Sequence, residues 1–318
     1  MRFSTLALAG AASVVSAQRP SDTPICDYYT TALLKENNAT NQHTLLTLLV
    51  NTVVIGNYTM PNVGVKVPGI LAEGKVDGED VKLAPFFSGA LKSANRGGKP
   101  TCVNFLDGGG AEPLMKNMPA NDETSNQFFL LTHLYQFFGA LLGCSKMGMP
   151  GFESYQGNPS MFEVHKFMNL GNAEMTFFIQ QVGMAAASFG VDKADVDVVA
   201  KALGDTFNMK CSAPAEVIPG EKELQAICID DSCKEAENPV CDQYDETKDP
   251  EMCSMMSSMM PSGTGSMMPT GTGSMMPSGT GSMMPTGTGP GTVPTDNAAP
   301  VNNFGVAAVV AAAAAYIL

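Results

Sequence analysis

The sequence predicts an all-α main domain with long loop insertions, and three segments carry this prediction. Residues 128–142 are apolar almost throughout. Residues 172–189 and 192–207 repeat apolar side chains at the three- and four-residue spacing of a helix face. Strand-like alternation of apolar and polar residues is weak along the whole chain. We therefore expect the segment from Cys26 to Cys211 to consist of helices joined by loops.

The first elements can be placed in chain order. The mostly apolar run Leu45–Ile55 fits either a helix or a strand. Glycine-rich stretches at 61–82 and 91–121 follow and predict long loops. The segment 128–142 predicts a helix that Gly143 ends. The candidate N-caps of this helix are Asp122, Thr124 and Ser125.

This central helix is apolar on two sides. One stripe comprises Phe128, Leu131, Tyr135, Phe138 and Leu142, and the other comprises Leu130, Leu134, Phe137 and Leu141. A helix of this kind must be covered on both sides. Further along, Ser160 can cap a short helix, Gly171 or Asn172 can begin a long one, and Asp192 with Asp195 can open the last.

Both ends of the chain carry features of processing signals. Residues 1–17 combine a basic residue, an apolar run and a small-residue cleavage site, which predicts a secretory signal peptide. Residues 298–318 predict a removed glycosylphosphatidylinositol (GPI) signal, with Asn297 as the lipidated residue and Asn302 and Asn303 as alternatives. A short membrane tail anchor is the other interpretation. We expect a secreted protein that is GPI-anchored at the cell surface, to the plasma membrane or cell wall.

The cysteines agree with an oxidising compartment. All eight lie in the expected mature chain, at Cys26, Cys102, Cys144, Cys211, Cys228, Cys233, Cys241 and Cys253. An even count in a secreted chain predicts four disulfides, whose connectivity the sequence leaves open. Two sequons, at Asn38 and Asn57, predict N-glycosylation.

The C-terminal third divides into two further parts after a main domain at 18–212. Residues 213–253 are acidic and cysteine-containing, and predict a small disulfide-tied appendix. Residues 254–297 predict a disordered stalk, because 258–289 repeat Ser-Met-Met-Pro-Ser/Thr-Gly-Thr-Gly four times. Paired methionines are also soft ligands, so capture of Cu(I) by the stalk is a weaker alternative.

Charge and motifs exclude several functions. Eighteen Lys and Arg residues against 31 Asp and Glu residues give a net charge of −13, which excludes nucleic acid as a main partner. Serine-hydrolase, zinc-protease and P-loop motifs are absent from the sequence, and no catalytic residue is assigned. Any chemistry that needs an imidazole must use His43, His133 or His165.

His165 is the strongest candidate among the three histidines. It lies in the short helix between Met161 and Met168, and apolar helices precede and follow it. An imidazole among apolar helices suits axial ligation of haem iron. A hydrogen-bonded core histidine is the plainer interpretation of the same residue.

The order of features around His165 is specific. A helix ends at Gly143-Cys144, a loop follows with Tyr155-x-Gly157, and the sequence Met161-x-x-Val164-His165 comes next. Over roughly residues 122–207 this order resembles the truncated (two-over-two) globin family. A fainter likeness covers residues 26–90 and includes Phe87 as the phenylalanine that wedges the haem.

The resemblance implies a site and a cofactor. It makes His165 the proximal ligand of haem b, and His133 either the sixth ligand or a distal gate. Leu130 and Leu134 would occupy other distal positions, and Tyr155 would belong to the haem-binding loop. Cys144 in place of a second glycine, and a longer loop before Tyr155, depart from the family pattern.

Together these interpretations predict a GPI-anchored, haem-binding, globin-like surface protein that binds or senses oxygen, nitric oxide or haem. Its partners would be a diatomic gas or haem, the membrane through its lipid, and cell-wall glycans. Peroxidase- or nitric-oxide-dioxygenase-like activity would require His133 to leave the iron. The alternative is a structural or adhesive cell-wall glycoprotein that keeps the globin-like fold without haem.

Overall fold

The computed structural model describes residues 18–59, 63–246 and 248–254. The expected signal peptide, nearly all of the stalk and the GPI signal with Asn297 lie outside these residues. The described part contains eight α-helices, which are α1 (Ile25–Leu34), α2 (Ala39–Ile55), α3 (Ala84–Phe87), α4 (Ala111–Leu114), α5 (Asn126–Leu141), α6 (Met161–His165), α7 (Asn172–Ser188) and α8 (Lys193–Phe207). A short 3-10 helix spans Cys241–Gln243.

The described residues also form three small antiparallel hairpins. Their strands are β1 (Gly74–Val76) with β2 (Glu79–Val81), β3 (Ala94–Asn95) with β4 (Pro100–Thr101), and β5 (Ala215–Glu216) with β6 (Lys222–Glu223). The all-α prediction is therefore wrong, and the fold is mixed. Strands of two or three residues are too short to show alternation. Their turns use glycines with positive φ, such as Gly78 and Gly220, which is why these stretches looked like loops.

The long helices begin where their capping residues predict. Ser125 caps α5 by accepting a hydrogen bond from the Phe128 amide at 3.1 Å. Asp192 caps α8 in the same way, and Gly171 precedes α7. The ambiguous run Leu45–Ile55 is helical and belongs to α2. Its side chains lie within a helix bundle, where a continuous apolar surface has neighbours on several sides.

The core is built around α2, which packs against α1, α5 and α7, while α7 also packs against α8. Leu46 on α2, Leu131 on α5 and Leu203 on α8 are almost completely buried. Burying a leucine side chain contributes about 1.5–3 kcal/mol each. One polar link crosses this core, because the Tyr135 hydroxyl donates to Asn51 Oδ1 at 2.7 Å. This bond satisfies a hydroxyl that burial would otherwise leave unpaired.

Four glutamines are almost completely buried and hold loops to the helices. They are Gln42, Gln127, Gln181 and Gln225. Gln127, for example, accepts from the Gly110 amide and donates to the carbonyls of Gly110 and Pro119. Irregular backbone next to a core needs such partners, because each buried polar group left unpaired costs about 1–3 kcal/mol. Long loops can therefore lie against the core without hydrogen-bonded sheets.

All eight cysteines form disulfides, which confirms that part of the prediction. The pairs are Cys26–Cys144, Cys102–Cys253, Cys211–Cys241 and Cys228–Cys233. Two of these bonds attach the segment 213–253 to earlier residues. The same segment forms isolated β-bridges between Leu170 and Cys228 and between Lys210 and Glu235. Among the described helices, none is both long and apolar enough to cross a membrane.

We expect the Cys102–Cys253 bond to be the larger contributor to stability. It closes a loop of 151 residues, whereas Cys228–Cys233 closes one of 5. A chain-entropy model assigns about 5 kcal/mol to the first and about 2 kcal/mol to the second. Chemical denaturation of the Cys102→Ala/Cys253→Ala variant should show the greater loss, with Cys228→Ala/Cys233→Ala as the matched control. Equal losses would contradict this ordering.

Candidate functional site

The short helix α6 carries His165 and is fixed by residues from distant parts of the chain. Ser160 begins it, with its hydroxyl oxygen accepting from the Glu163 amide at 3.3 Å. The same hydroxyl donates to the Leu224 carbonyl at 2.8 Å. Gln225 accepts from the Met161 amide with its side-chain oxygen. The segment that follows α8 therefore holds the start of α6 in place.

The imidazole of His165 has one nitrogen fixed. Its Nδ1 lies 2.8 Å from the Met161 carbonyl oxygen, and because a carbonyl only accepts, Nδ1 must carry the hydrogen. The neutral ring then has its lone pair on Nε2. Burial lowers the pKa of His165 below its usual range, against the smaller opposing effect of the Met161 hydrogen bond. The side chain is therefore a neutral donor ligand with a fixed orientation.

His133 lies on α5 in an aromatic environment. Its ring centroid is 6.0 Å from that of Tyr155, and Tyr155 in turn lies 5.6 Å from Phe137. Burial lowers the pKa of His133 and raises the pKa of Tyr155 to about 12. The Tyr155 hydroxyl donates to the Asn158 carbonyl at 2.9 Å. The structure thus brings these two predicted site residues together, with the edge of one ring against the other.

The other predicted site residues lie against the main core. Leu130 and Leu134 are half-buried on α5. Phe87 ends α3, and its carbonyl accepts from the Phe105 amide at 2.7 Å. His165 itself lies on a helix that packs against β3. Sequence spacing alone did not place α6 beside this hairpin.

Two cavities stand out in the described residues, and neither is lined by His133 or His165. One is an apolar cavity of about 50 Å³ among α1, α2, α7 and α8. The other is an open surface groove of about 480 Å³ next to Asn38. No group of three or more His, Cys, Asp or Glu residues in the described chain could hold a metal ion. The donor at His165 therefore suits an axial haem ligand, whereas neither cavity offers the macrocycle a place beside it.

Two residues near the end of the described chain, Tyr244 and Asp245, contact α6 and the residue that follows it, and no sequence pattern predicts this contact. Lys166 forms ion pairs with Glu163 at 3.0 Å and with Asp245 at 2.8 Å. These carboxylates keep the Lys166 side chain charged although it is 11% exposed. Phe162 meets Tyr244 edge-to-face, with ring centroids 4.6 Å apart. The partners are some eighty residues apart in sequence, so no periodicity or spacing links them.

A second unpredicted cluster fixes the start of the described chain. Arg19 donates to Asp195 Oδ1 from Nε at 3.0 Å and from a terminal nitrogen at 2.8 Å. The Tyr29 hydroxyl donates to the other carboxylate oxygen at 2.8 Å and accepts from the Asp192 amide. Burial raises the pKa of Tyr29 above its usual range. Asp195 was predicted only as a helix-opening residue, because its partner lies 176 residues away.

Comparison with known proteins gives no relative from which to transfer a function. A scan against protein-family models, a search of curated proteins and a search of solved structures each found no match.

Acid should destabilise the protein partly through His165. Its pKa is lowered in the folded state, so the unfolded chain binds more protons just below pH 6.5, and stability falls as the pH falls through that range. One such histidine contributes a slope of at most about 1.4 kcal/mol per pH unit. Urea denaturation at pH 7 and pH 5 should show a smaller fall for His165→Gln than for the unaltered protein.

His43 provides the comparison for this experiment, because burial lowers its pKa as well. Its ring contacts those of Tyr135 and Phe152, with centroids 5.7 Å and 5.4 Å away. A His43→Gln variant should also flatten the pH dependence. An unchanged pH dependence in the His165→Gln variant would show that folding does not lower the pKa of His165.

Proposed function

We propose that this protein is a structural or adhesive glycoprotein of the cell surface. Its disulfide-closed head would be carried away from the membrane by the repeat stalk and a lipid anchor. The single observation that carries this proposal is the Cys102–Cys253 disulfide, which ties the last described residues back to the head where the stalk begins. Force transmitted along the stalk would then reach the head at a covalent crosslink.

The surface chemistry supports the same proposal. The net charge of −13 keeps the chain soluble and repels polyanions. Most of the ion pairs among the described residues are exposed, such as Lys193 with Asp197, and exposed pairs contribute little to stability. Disulfides that close long loops are typical of secreted domains. Partners of such a head would be neutral wall glycans or neighbouring surface proteins.

A second candidate function is haem binding at His165. It rests on the resemblance of residues 122–207 to the truncated globins, and the hydrogen bond from Nδ1 to the Met161 carbonyl favours it. A backbone carbonyl that fixes Nδ1 leaves Nε2 to bind a metal, which is the usual arrangement at a ligating histidine. A bound haem would supply reversible binding of small gases at its iron. The role of this chain would be to orient the His165 ring and to exclude water from it.

Surface display tests the leading proposal. When the full chain is expressed in a eukaryotic secretory host, we expect it on the cell surface and released by a phosphatidylinositol-specific phospholipase. Deletion of 298–318 should move the protein to the medium, because the lipid attachment signal is lost. All eight cysteines should resist maleimide labelling until a reductant is added. Intracellular retention with reactive thiols would contradict the proposal.

We expect the length of the stalk, and not its methionines, to determine adhesion. Deleting 258–289 should lower adhesion of expressing cells to isolated wall glycans or to one another, with the head still displayed. Replacing 258–289 by a Gly/Ser/Thr segment of equal length and without methionine should restore adhesion. Failure of this replacement, together with copper bound only to the natural repeat, would favour the Cu(I) alternative.

An absorption spectrum tests the second candidate. The secreted protein supplied with haemin should give a sharp Soret band if His165 ligates the iron, and His165→Ala should remove it with the fold intact. His133→Ala is the matched variant: a change from low-spin to high-spin bands would identify His133 as the sixth ligand. A spectrum equal to that of free haemin in the unaltered protein would exclude haem binding.

A further inference from the structure

The surface groove next to Asn38 is formed by two loops. One side is the turn between α1 and α2, and the other is the loop that follows Cys144. The groove is lined by Asn37, Asn38, Ala39, Thr40, Asn41, Lys146, Met149 and Pro150. The groove is open to solvent and has a volume of about 480 Å³. Met149 is 51% exposed, so the groove has an apolar side open to solvent.

Buried contacts beneath the groove hold its two sides at a fixed separation. Gln42 is completely buried, and its Nε2 donates to Asp27 Oδ1 and to Asn37 Oδ1, each at 2.7 Å. Its Oε1 accepts from the Lys146 amide at 2.8 Å. The disulfide Cys26–Cys144 joins the start of α1 to the residue just before the second loop. The groove is therefore pre-formed, which lowers the entropic cost of occupying it.

Asn38 has a side chain that can be glycosylated without loss of its structural role. Its Oδ1 caps α2 by accepting from the Asn41 amide at 2.9 Å. Its Nδ2 is at the exposed surface and makes one exposed contact, with Glu36 at 3.3 Å. An N-linked sugar replaces a single hydrogen on Nδ2, so both hydrogen bonds can persist. Asn38 and Thr40 of the sequon both line the groove.

We propose that Asn38 carries an N-glycan whose first N-acetylglucosamine residue lies in this groove, against Met149 and Pro150. In the transfer step, Nδ2 attacks C1 of the first sugar of a lipid-linked oligosaccharide. A C–N bond forms, the bond from C1 to the pyrophosphate oxygen breaks, and the amide proton leaves with the lipid pyrophosphate. The apolar face of the sugar then covers Met149, and α2 is held at its N-terminus by cap and glycan together. The inference rests on the proposed passage through the secretory route.

The second sequon provides a contrast within the same chain. Asn57 is half-buried, and its side-chain Oδ1 accepts from the Val67 backbone amide at 2.6 Å. The backbone amide of Asn57 donates to the Val67 carbonyl at 3.1 Å. Its side chain thus ties the end of α2 to the following loop.

The test uses the full chain in a eukaryotic secretory host, with Thr59→Ala to remove the second sequon. Mass spectrometry should find the Asn38 peptide glycosylated. Trimming with an endoglycosidase that leaves one N-acetylglucosamine should not change Tm, whereas complete removal by an amidase should lower Tm by about 2–4 °C. The amidase converts Asn38 to aspartate, which is also a good N-cap, so a lost cap does not explain the drop.

Two variants at one position control for the glycan. Thr40→Ala removes the sequon and should lower Tm as complete deglycosylation does, whereas Thr40→Ser keeps the sequon and should match the unaltered residue. If the secreted chain has lost residues 1–17 by cleavage in the host and Asn38 is nevertheless unmodified, this inference alone is overturned. Equal Tm values for the fully glycosylated, trimmed and glycan-free proteins would overturn the placement of the first N-acetylglucosamine in the groove. A chain that retains residues 1–17 and carries no glycan would overturn the proposed surface function instead.

Discussion

Covalent closure of long loops is the constraint on which the head depends. Between the end of α2 and the start of α5, the described helices are only four residues long. Segments of this kind bury little apolar surface by themselves and need another restraint. Cys102–Cys253 supplies such a restraint by joining this segment to the end of the described chain. Cys26–Cys144 joins the start of α1 to the end of α5. Earlier in the segment that ends at Cys253, Tyr244 and Asp245 contact Phe162 and Lys166.

Buried glutamines provide the hydrogen-bond partners that the disulfide-bonded loops need. A crosslink limits where a loop can go, but it leaves the backbone amides and carbonyls of that loop without partners. Gln42, Gln127, Gln181 and Gln225 supply these partners, each from inside the core. A glutamine side chain carries both a donor and an acceptor at the end of a flexible stem, so one residue can satisfy two loops. The mixed fold is thus a helical core with irregular segments attached to it by side chains.

The candidate sites follow from these attachments. His165 has a fixed imidazole because its Nδ1 donates to the Met161 carbonyl and the segment around Gln225 holds α6. The groove at Asn38 exists because Gln42 and a disulfide keep two loops apart. The groove at Asn38 is open to solvent and has a volume of about 480 Å³.

Local signals in the sequence determined the long helices and their first residues, since Ser125, Ser160 and Asp192 cap helices as predicted. The cysteine count likewise determined that there are four disulfides. A helix cap depends on residues within a few positions of it, and the number of cysteines is read directly, so a single sequence reveals both. Tertiary structure alone decided the hairpins, the disulfide pairing, the Arg19–Asp195 contact and the Lys166–Asp245 ion pair. The strands are too short to show a pattern, and the other contacts join residues that are distant in sequence. Their contribution to stability comes from burial and pairing that exist only after the chain has folded.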